Sequence, residues 1–156
     1  MTNLRITKAD LDADNFYAAS PSIDCDGSIV IDEKLGTVRV RRSICARLSI
    51  SAEAGSGIKA GSGIKAGWGI KARLGIEAGE GIEAGLGIEA GFSILARWVV
   101  SPLRIFAGLC SWRLPTEEET EIRAEIRQGT IAFGKHVPPV PVEIEASKQS
   151  AEGGKC

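Results

Sequence analysis

A tandem hexapeptide repeat over residues 57–92 constrains the fold of this chain more than any other feature. Six copies follow without a gap, each beginning Gly-Ile and continuing with Lys or Glu and then Ala. A unit this small cannot bury its own apolar face, so successive copies must stack. Ile and Ala lie two residues apart, which is the alternation of a strand with one buried face. The glycines on either side of one variable residue predict a tight corner and disfavour a long helix.

The charged residue of each copy supplies a test of how the strands wind. It is Lys in the first three copies and Glu in the last three. Three six-residue sides would make a coil of 18 residues, and that period places every Lys beside a Glu of the next coil at the strand spacing of a sheet. Opposite charges on neighbouring strands favour this pairing. The predicted inter-coil pairs are Lys59 with Glu77, Lys65 with Glu83, and Lys71 with Glu89.

The same pattern of Ile or Val followed two residues later by a small or aliphatic residue extends beyond the perfect block. It gives thirteen candidate sides and predicts a β-helix over residues 22–108. The spacing slips before Val38, before Ile58 and before Ile105. We interpret these slips as outward loops at residues 33–36, 53–56 and 99–102, which a β-helix tolerates at its corners.

The two ends of the chain lack the repeat, and we expect them to cap the open coils. Residues 1–21 form the predicted N-terminal cap, and residues 109–136 form the C-terminal cap. Alternation after Thr120 and a turn at Gln128 and Gly129 favour a β-hairpin. Thr116 followed by Glu119 also fits a capping box, so a helix over residues 116–128 is the alternative. Residues 137–156 are expected to be a partly disordered tail.

The variable corner residues sort into three edges when they are stacked every 18 residues. Two edges are largely apolar and the third, with Ser62 and Glu80, is polar. An exposed apolar edge predicts a docking strip for a protein partner or for a second copy of the chain. In the alternative, the terminal segments fold over these edges. The candidate partner-binding residues are Trp68, Leu74, Leu86 and Phe92.

The composition offers little material for catalysis or for binding nucleic acid. The formal charge is −1, so there is no general attraction to nucleic acid. His136 is the single histidine and lies outside the repeats, so catalytic triads and histidine metal sites lack residues. We expect no cofactor and no bound metal. No apolar run is long enough to cross a membrane, and the four cysteines have no CxxC spacing, which predicts reduced thiols and a cytoplasmic location.

The segment AGSGIK at residues 60–65 resembles the hexapeptide repeat of left-handed β-helix proteins, which implies a triangular solenoid. Acyltransferases of those families rely on a histidine in the coils, and here the coils contain none. The chain is similar, more weakly, to bactofilins, which also have six-residue sides. Residues 38–114 most resemble bacterial proteins with GI(K/E)AG repeats, found in genomes and their mobile elements, a group without an assigned activity.

The sequence therefore predicts an all-β protein, a single-stranded triangular parallel β-helix that is expected to be left-handed. The predicted function is that of a rigid, non-enzymatic scaffold or protein-binding module. An inhibitor from a mobile element that binds a host protein is the alternative. A third possibility is an acyltransferase that would use His136 at a subunit boundary.

Overall fold

The structure, a computed structural model, describes residues 2–138, and in it fifteen strands stack in parallel as a β-solenoid. The all-β class and the parallel solenoid are confirmed. Two short 3₁₀ helices, Lys8–Asp10 and Glu118–Thr120, are the only helical segments in residues 2–138. The strands are β1 (Leu4–Ile6), β2 (Ile23–Cys25), β3 (Ile29–Ile31), β4 (Gly36–Val40), β5 (Ile44–Ala46), β6 (Ile50–Ala52), β7 (Ser56–Ala60), β8 (Ile64–Ala66), β9 (Ile70–Ala72), β10 (Ile76–Ala78), β11 (Gly81–Ala84), β12 (Ile88–Ala90), β13 (Ile94–Phe106), β14 (Glu121–Phe133) and β15 (Lys135–Val137).

The strands stack into three faces, which we name A, B and C. Face A contains β2, β5, β8 and β11, and face B contains β1, β3, β6, β9 and β12. Face C contains β4, β7 and β10. The long strands β13 and β14 bend around the corners and add a level to all three faces, and β15 closes face C. The winding between Ile23 and Ile105 covers a little over four coils.

The interior is built from columns of identical side chains. Ile58 pairs with Ile76 and Ala60 with Ala78, so isoleucine stacks on isoleucine and alanine on alanine from coil to coil. The isoleucines of the repeat are at most 1% exposed. Burial of each such side chain contributes on the order of 1.5–3 kcal/mol before chain entropy is counted. The repeated Ile-x-Ala pattern therefore fills a narrow shaft that has no room for larger residues.

The charged residues between Ile and Ala form the three predicted ion pairs across neighbouring coils. Lys59 Nζ lies 2.9 Å from Glu77 Oε1. The corresponding distances are 3.5 Å for Lys65 with Glu83 and 3.2 Å for Lys71 with Glu89. These side chains are between 37% and 46% exposed, so each pair contributes only a few tenths of a kcal/mol to about 1 kcal/mol. Their value is that they oppose any other stacking period.

Two of the three predicted outward loops are present. Lys34 and Gly36 have φ values of 59° and 71°, and Gly55 has a φ of 75°, so both segments turn through the left-handed region. The loops stack on each other, since the amide of Lys34 donates to the carbonyl of Ala54 at 2.8 Å.

The loop predicted at residues 99–102 is wrong. Val99 is fully buried and pairs with Ile82, so this segment is a side of face A. The chain moves from Ile94 to Val99 in five residues rather than six, within the continuous strand β13. Because this corner lacks the glycine pair, the sequence pattern concealed a fourteenth side.

The C-terminal hairpin is also wrong. β14 is one continuous strand that pairs in parallel with β13, and β15 pairs in parallel with β14. Ile122 and Ala124 are fully buried and extend the core columns. The alternation was therefore a correct signal of a strand, but its partner is the preceding coil and not the following segment. Of the alternative helix, only the 3₁₀ turn at Glu118–Thr120 forms.

The N-terminal cap combines a strand and a helical turn. β1 adds a parallel strand beside β3, and Ile6 is fully buried. Phe16 forms a bridge with Arg39, which continues face C outward. The predicted segment boundaries and the left-handed winding stay predictions. The tail expected after residue 138 lies outside the described residues.

We expect the Lys59–Glu77 pair to behave as a register contact. Glu77→Lys should lower the free energy of unfolding by about 1 kcal/mol, because the introduced ammonium group would then face Lys59. Adding Lys59→Glu restores an opposite-charge pair and should recover most of the loss. Urea denaturation of the single and double variants measures the difference, and equal stabilities for the two would contradict the assigned pairing.

The glycines on either side of Trp68 should respond differently to the same substitution. A Cβ at Gly67 would overlap the carbonyl oxygen of Arg47 in the preceding coil, whereas a Cβ at Gly69 would lie 3.5 Å from the nearest atom, the carbonyl oxygen of Gly87. Gly67→Ala should therefore destabilise the fold by roughly 1–3 kcal/mol. Gly69→Ala, the matched control, should leave stability within about 1 kcal/mol of the original. Thermal unfolding measures both, and a Gly67→Ala variant as stable as Gly69→Ala would refute the close corner stacking.

Candidate protein-docking edge

The corner between faces A and B carries a row of apolar side chains, one from each of four successive coils. The row is held by backbone hydrogen bonds, since the amide of Trp68 donates to Leu48 at 2.8 Å and that of Leu86 donates to Trp68 at 2.7 Å. The amide of Leu103 continues the row by donating to Leu86 at 3.0 Å. We name this row the apolar ladder: Leu48, Trp68, Leu86 and Leu103.

The apolar ladder is open to solvent along most of its length. Trp68 and Leu103 are each 57% exposed, and Leu86 is 49% exposed, while Leu48 is half-buried. Strand positions facing inward are already filled by Ile and Ala, so a corner side chain can only point outward. A contiguous row of exposed large apolar residues is typical of an interaction site.

Charged rungs flank the ladder on both sides. At the level of Trp68, Lys65 lies on face A and Lys71 lies on face B. At the level of Leu86, the corresponding residues are Glu83 and Glu89. The ladder therefore has a basic level next to an acidic level.

A shallow groove of about 1010 Å³ runs along face B beside the ladder. Leu103 and Phe106 form its apolar wall, and Lys71 and Glu89 form part of its floor. The groove widens the surface that a partner seated on the ladder could cover.

The second apolar edge, with Leu74 and Phe92, is partly covered. The ring of Phe92 meets that of Trp112 edge to face at 5.9 Å, and the guanidinium of Arg113 lies 4.7 Å from the Phe92 ring centre. Leu74 is half-buried. The C-terminal segment thus folds over the end of this edge, as the alternative prediction held. The four candidates divide into an open pair, Trp68 and Leu86, and a partly covered pair.

A charged clamp holds the covering segment in place. The Arg113 guanidinium donates to both oxygens of Glu119 at 2.8 and 2.7 Å, and the amide of Thr116 donates to the same carboxylate at 2.8 Å. These donors, Arg113 first, lower the pKa of Glu119 to about 2. The same pair raises the pKa of Arg113.

The remaining candidates for chemistry have structural partners. His136 Nε2 lies 2.8 Å from the carbonyl oxygen of Ala124, in the strand next to its own. Glu121 pairs with Arg123 at 2.6 Å. No group of three or more potential metal ligands occurs within residues 2–138. Over the same residues, no helix has the length and apolar character needed to cross a membrane.

The cysteines depart from the prediction of four reduced thiols. Cys25 and Cys110 are free, but Cys45 is disulfide-bonded, so the expectation is wrong at Cys45. Cys156 lies outside the described residues. The cytoplasmic location, which drew on this expectation, stays a prediction.

Leu48 and Leu103 are members of the ladder that the sequence reasoning missed. The signal was available, because each lies two residues before a core isoleucine, as Trp68 and Leu86 do. Leu48 falls outside the perfect repeat, and Leu103 directly follows the segment that we had assigned to a loop.

Comparison with protein-family models, with curated proteins and with solved structures finds no match for this chain. The likeness to hexapeptide-repeat proteins and bactofilins therefore rests on the motif and on the solenoid geometry.

The clamp predicts a specific titration. Because the pKa of Glu119 is depressed, its contribution to holding the segment is complete above about pH 4.5 and is lost as the pH falls through about 2. Arg113→Gln should return the pKa of Glu119 towards 4.5. Carboxyl-carbon NMR titration measures the shift, with Arg123→Gln as a control that leaves Glu119 unchanged. A Glu119 that titrates near 4.5 in the unmodified protein would contradict the clamp.

Proposed function

We propose that this protein is a rigid, non-enzymatic β-solenoid that docks a protein partner on the apolar ladder. The observation that carries the proposal is the uncovered row of Trp68, Leu86 and Leu103, in contrast to the second apolar edge, where Trp112 covers Phe92.

The geometry of the corner supports this role. Backbone hydrogen bonds fix each ladder residue to the next at the spacing of sheet strands, so the apolar groups keep constant separations. A partner that fits the row would pay little for ordering it. Trp68, large and held at the middle of the row, has the character of an interface anchor.

The non-enzymatic part of the proposal draws on the single histidine. His136 is committed to a carbonyl of the neighbouring strand and is far along the chain from the ladder. The acidic residues Glu119 and Glu121 are paired with arginines. An acyltransferase role for His136 has no supporting contact among the described residues.

Ladder variants test the proposal. Trp68→Lys should reduce the recovery of a specific partner from native lysate by roughly tenfold or more, because a buried anchor is lost and a charge would be desolvated. Ser62→Lys is the matched control, since it adds the same charge at the equivalent corner of the polar edge. Both variants should keep the original circular dichroism and melting temperature.

Recovery of the same protein in equal amounts by the original chain and by Trp68→Lys would contradict the proposal. Loss of that protein with Ser62→Lys and not with Trp68→Lys would place the docking site on the polar edge instead.

A further inference from the structure

We infer that the occupant of the apolar ladder is a second copy of this chain, lying antiparallel, so that Trp68 of each copy packs on Leu86 of the other. This inference rests on the proposed docking function and names its partner. The argument comes from the order of apolar and charged residues along the ladder.

The charges of the two central levels are complementary only in the antiparallel arrangement. The Trp68 level is flanked by Lys65 and Lys71, and the Leu86 level by Glu83 and Glu89. A two-fold axis across the ladder, between these levels, brings the basic level of one copy against the acidic level of the other. Each face then meets its own equivalent, so Lys71 lies beside Glu89 of the second copy.

The outer levels fit the same axis. Leu48 of one copy meets Leu103 of the other, so apolar residues face each other along the whole row. On face B the flanking residues at these levels are Ser51 and Phe106, which carry no charge. Arg47 precedes Leu48 on the side of face A, and Arg104 follows Leu103 on the side of face B. The axis therefore does not bring these two arginines together.

A parallel two-fold pairing is disfavoured by the same residues. Its axis runs along the solenoid, so each level meets its own copy and face A meets face B. Lys65 would then face Lys71, and Glu83 would face Glu89. Opposed like charges destabilise such an interface.

The size of the ladder predicts a dimer of moderate affinity. The three exposed side chains offer roughly 300–400 Å², compared with about 800 Å² per partner in a stable interface. The rungs and the groove on face B must supply the remainder. The formal charge of −1 opposes association only slightly. A dissociation constant in the micromolar range is therefore expected.

Sedimentation of the purified full chain from about 1 μM to about 500 μM tests the inference over the expected affinity range. The mass should rise from 16.5 kDa towards twice that value, and added salt should weaken the dimer. Leu86→Lys should weaken it roughly tenfold or more. Leu114→Lys, at an apolar residue that is 92% exposed and away from the ladder, should leave it unchanged.

A charge reversal reports the orientation. Lys71→Glu should weaken the antiparallel dimer several-fold, because the introduced carboxylate would face Glu89 of the second copy. Lys59→Glu is the matched control: it breaks an equivalent pair on face C, opposite the ladder, and should leave the dimer intact. Lys71→Glu combined with Glu89→Lys should restore dimerisation. A stronger dimer with Lys71→Glu would indicate parallel pairing and overturn the inference.

A chain that stays monomeric at every concentration would overturn the self-pairing inference but not the docking function, which the lysate experiment tests separately. A dimer that survives Leu86→Lys, or that Leu114→Lys abolishes, would place the contact elsewhere and would also overturn it.

Discussion

The hydrogen bonds between successive coils are the constraint on which the rest of this structure depends. Each strand of the repeat is only a few residues long and could not persist alone, but its backbone groups pair with strands one coil before and one coil after. The amides of Ile58, Ile70 and Ile76 donate to carbonyls 17 residues further along the chain, at 3.1 Å in each case. That constant offset brings isoleucine over isoleucine and closes a dry interior. Stability in such a fold is spread over many equivalent contacts between neighbouring coils.

The same offset determines what the surface can display. Inward positions accept only aliphatic residues, and the residue after each alanine must often be glycine, because a side chain at Gly67 or Gly79 would overlap a carbonyl of the coil beside it. Sequence freedom is left mainly at one residue of each corner. Those residues align in rows, so a few substitutions, such as Trp68 and Leu86, create a continuous apolar edge. The docking function that we propose is a consequence of this alignment.

The regular part of the fold was predictable because every copy of the repeat reports the same geometry. The exchange of Lys for Glu midway through the block indicated the coil length, and Lys59 does pair with Glu77. The irregular parts were not predictable by the same reasoning. Val99 enters the core from a side of five residues, and β14 returns to the stack only after an intervening segment. The cover over Phe92 depends on Trp112, whose position no local pattern indicates.

The most direct test of the central claim is a measurement of the inter-coil hydrogen bonds by NMR. Scalar couplings across hydrogen bonds identify the donor nitrogen and the acceptor carbonyl carbon without assuming a fold. The structure predicts couplings from Ile58 to Gly75, from Ile70 to Gly87 and from Ile76 to Ser93. Couplings at a different constant offset, or between strands adjacent in sequence, would contradict the three-sided winding.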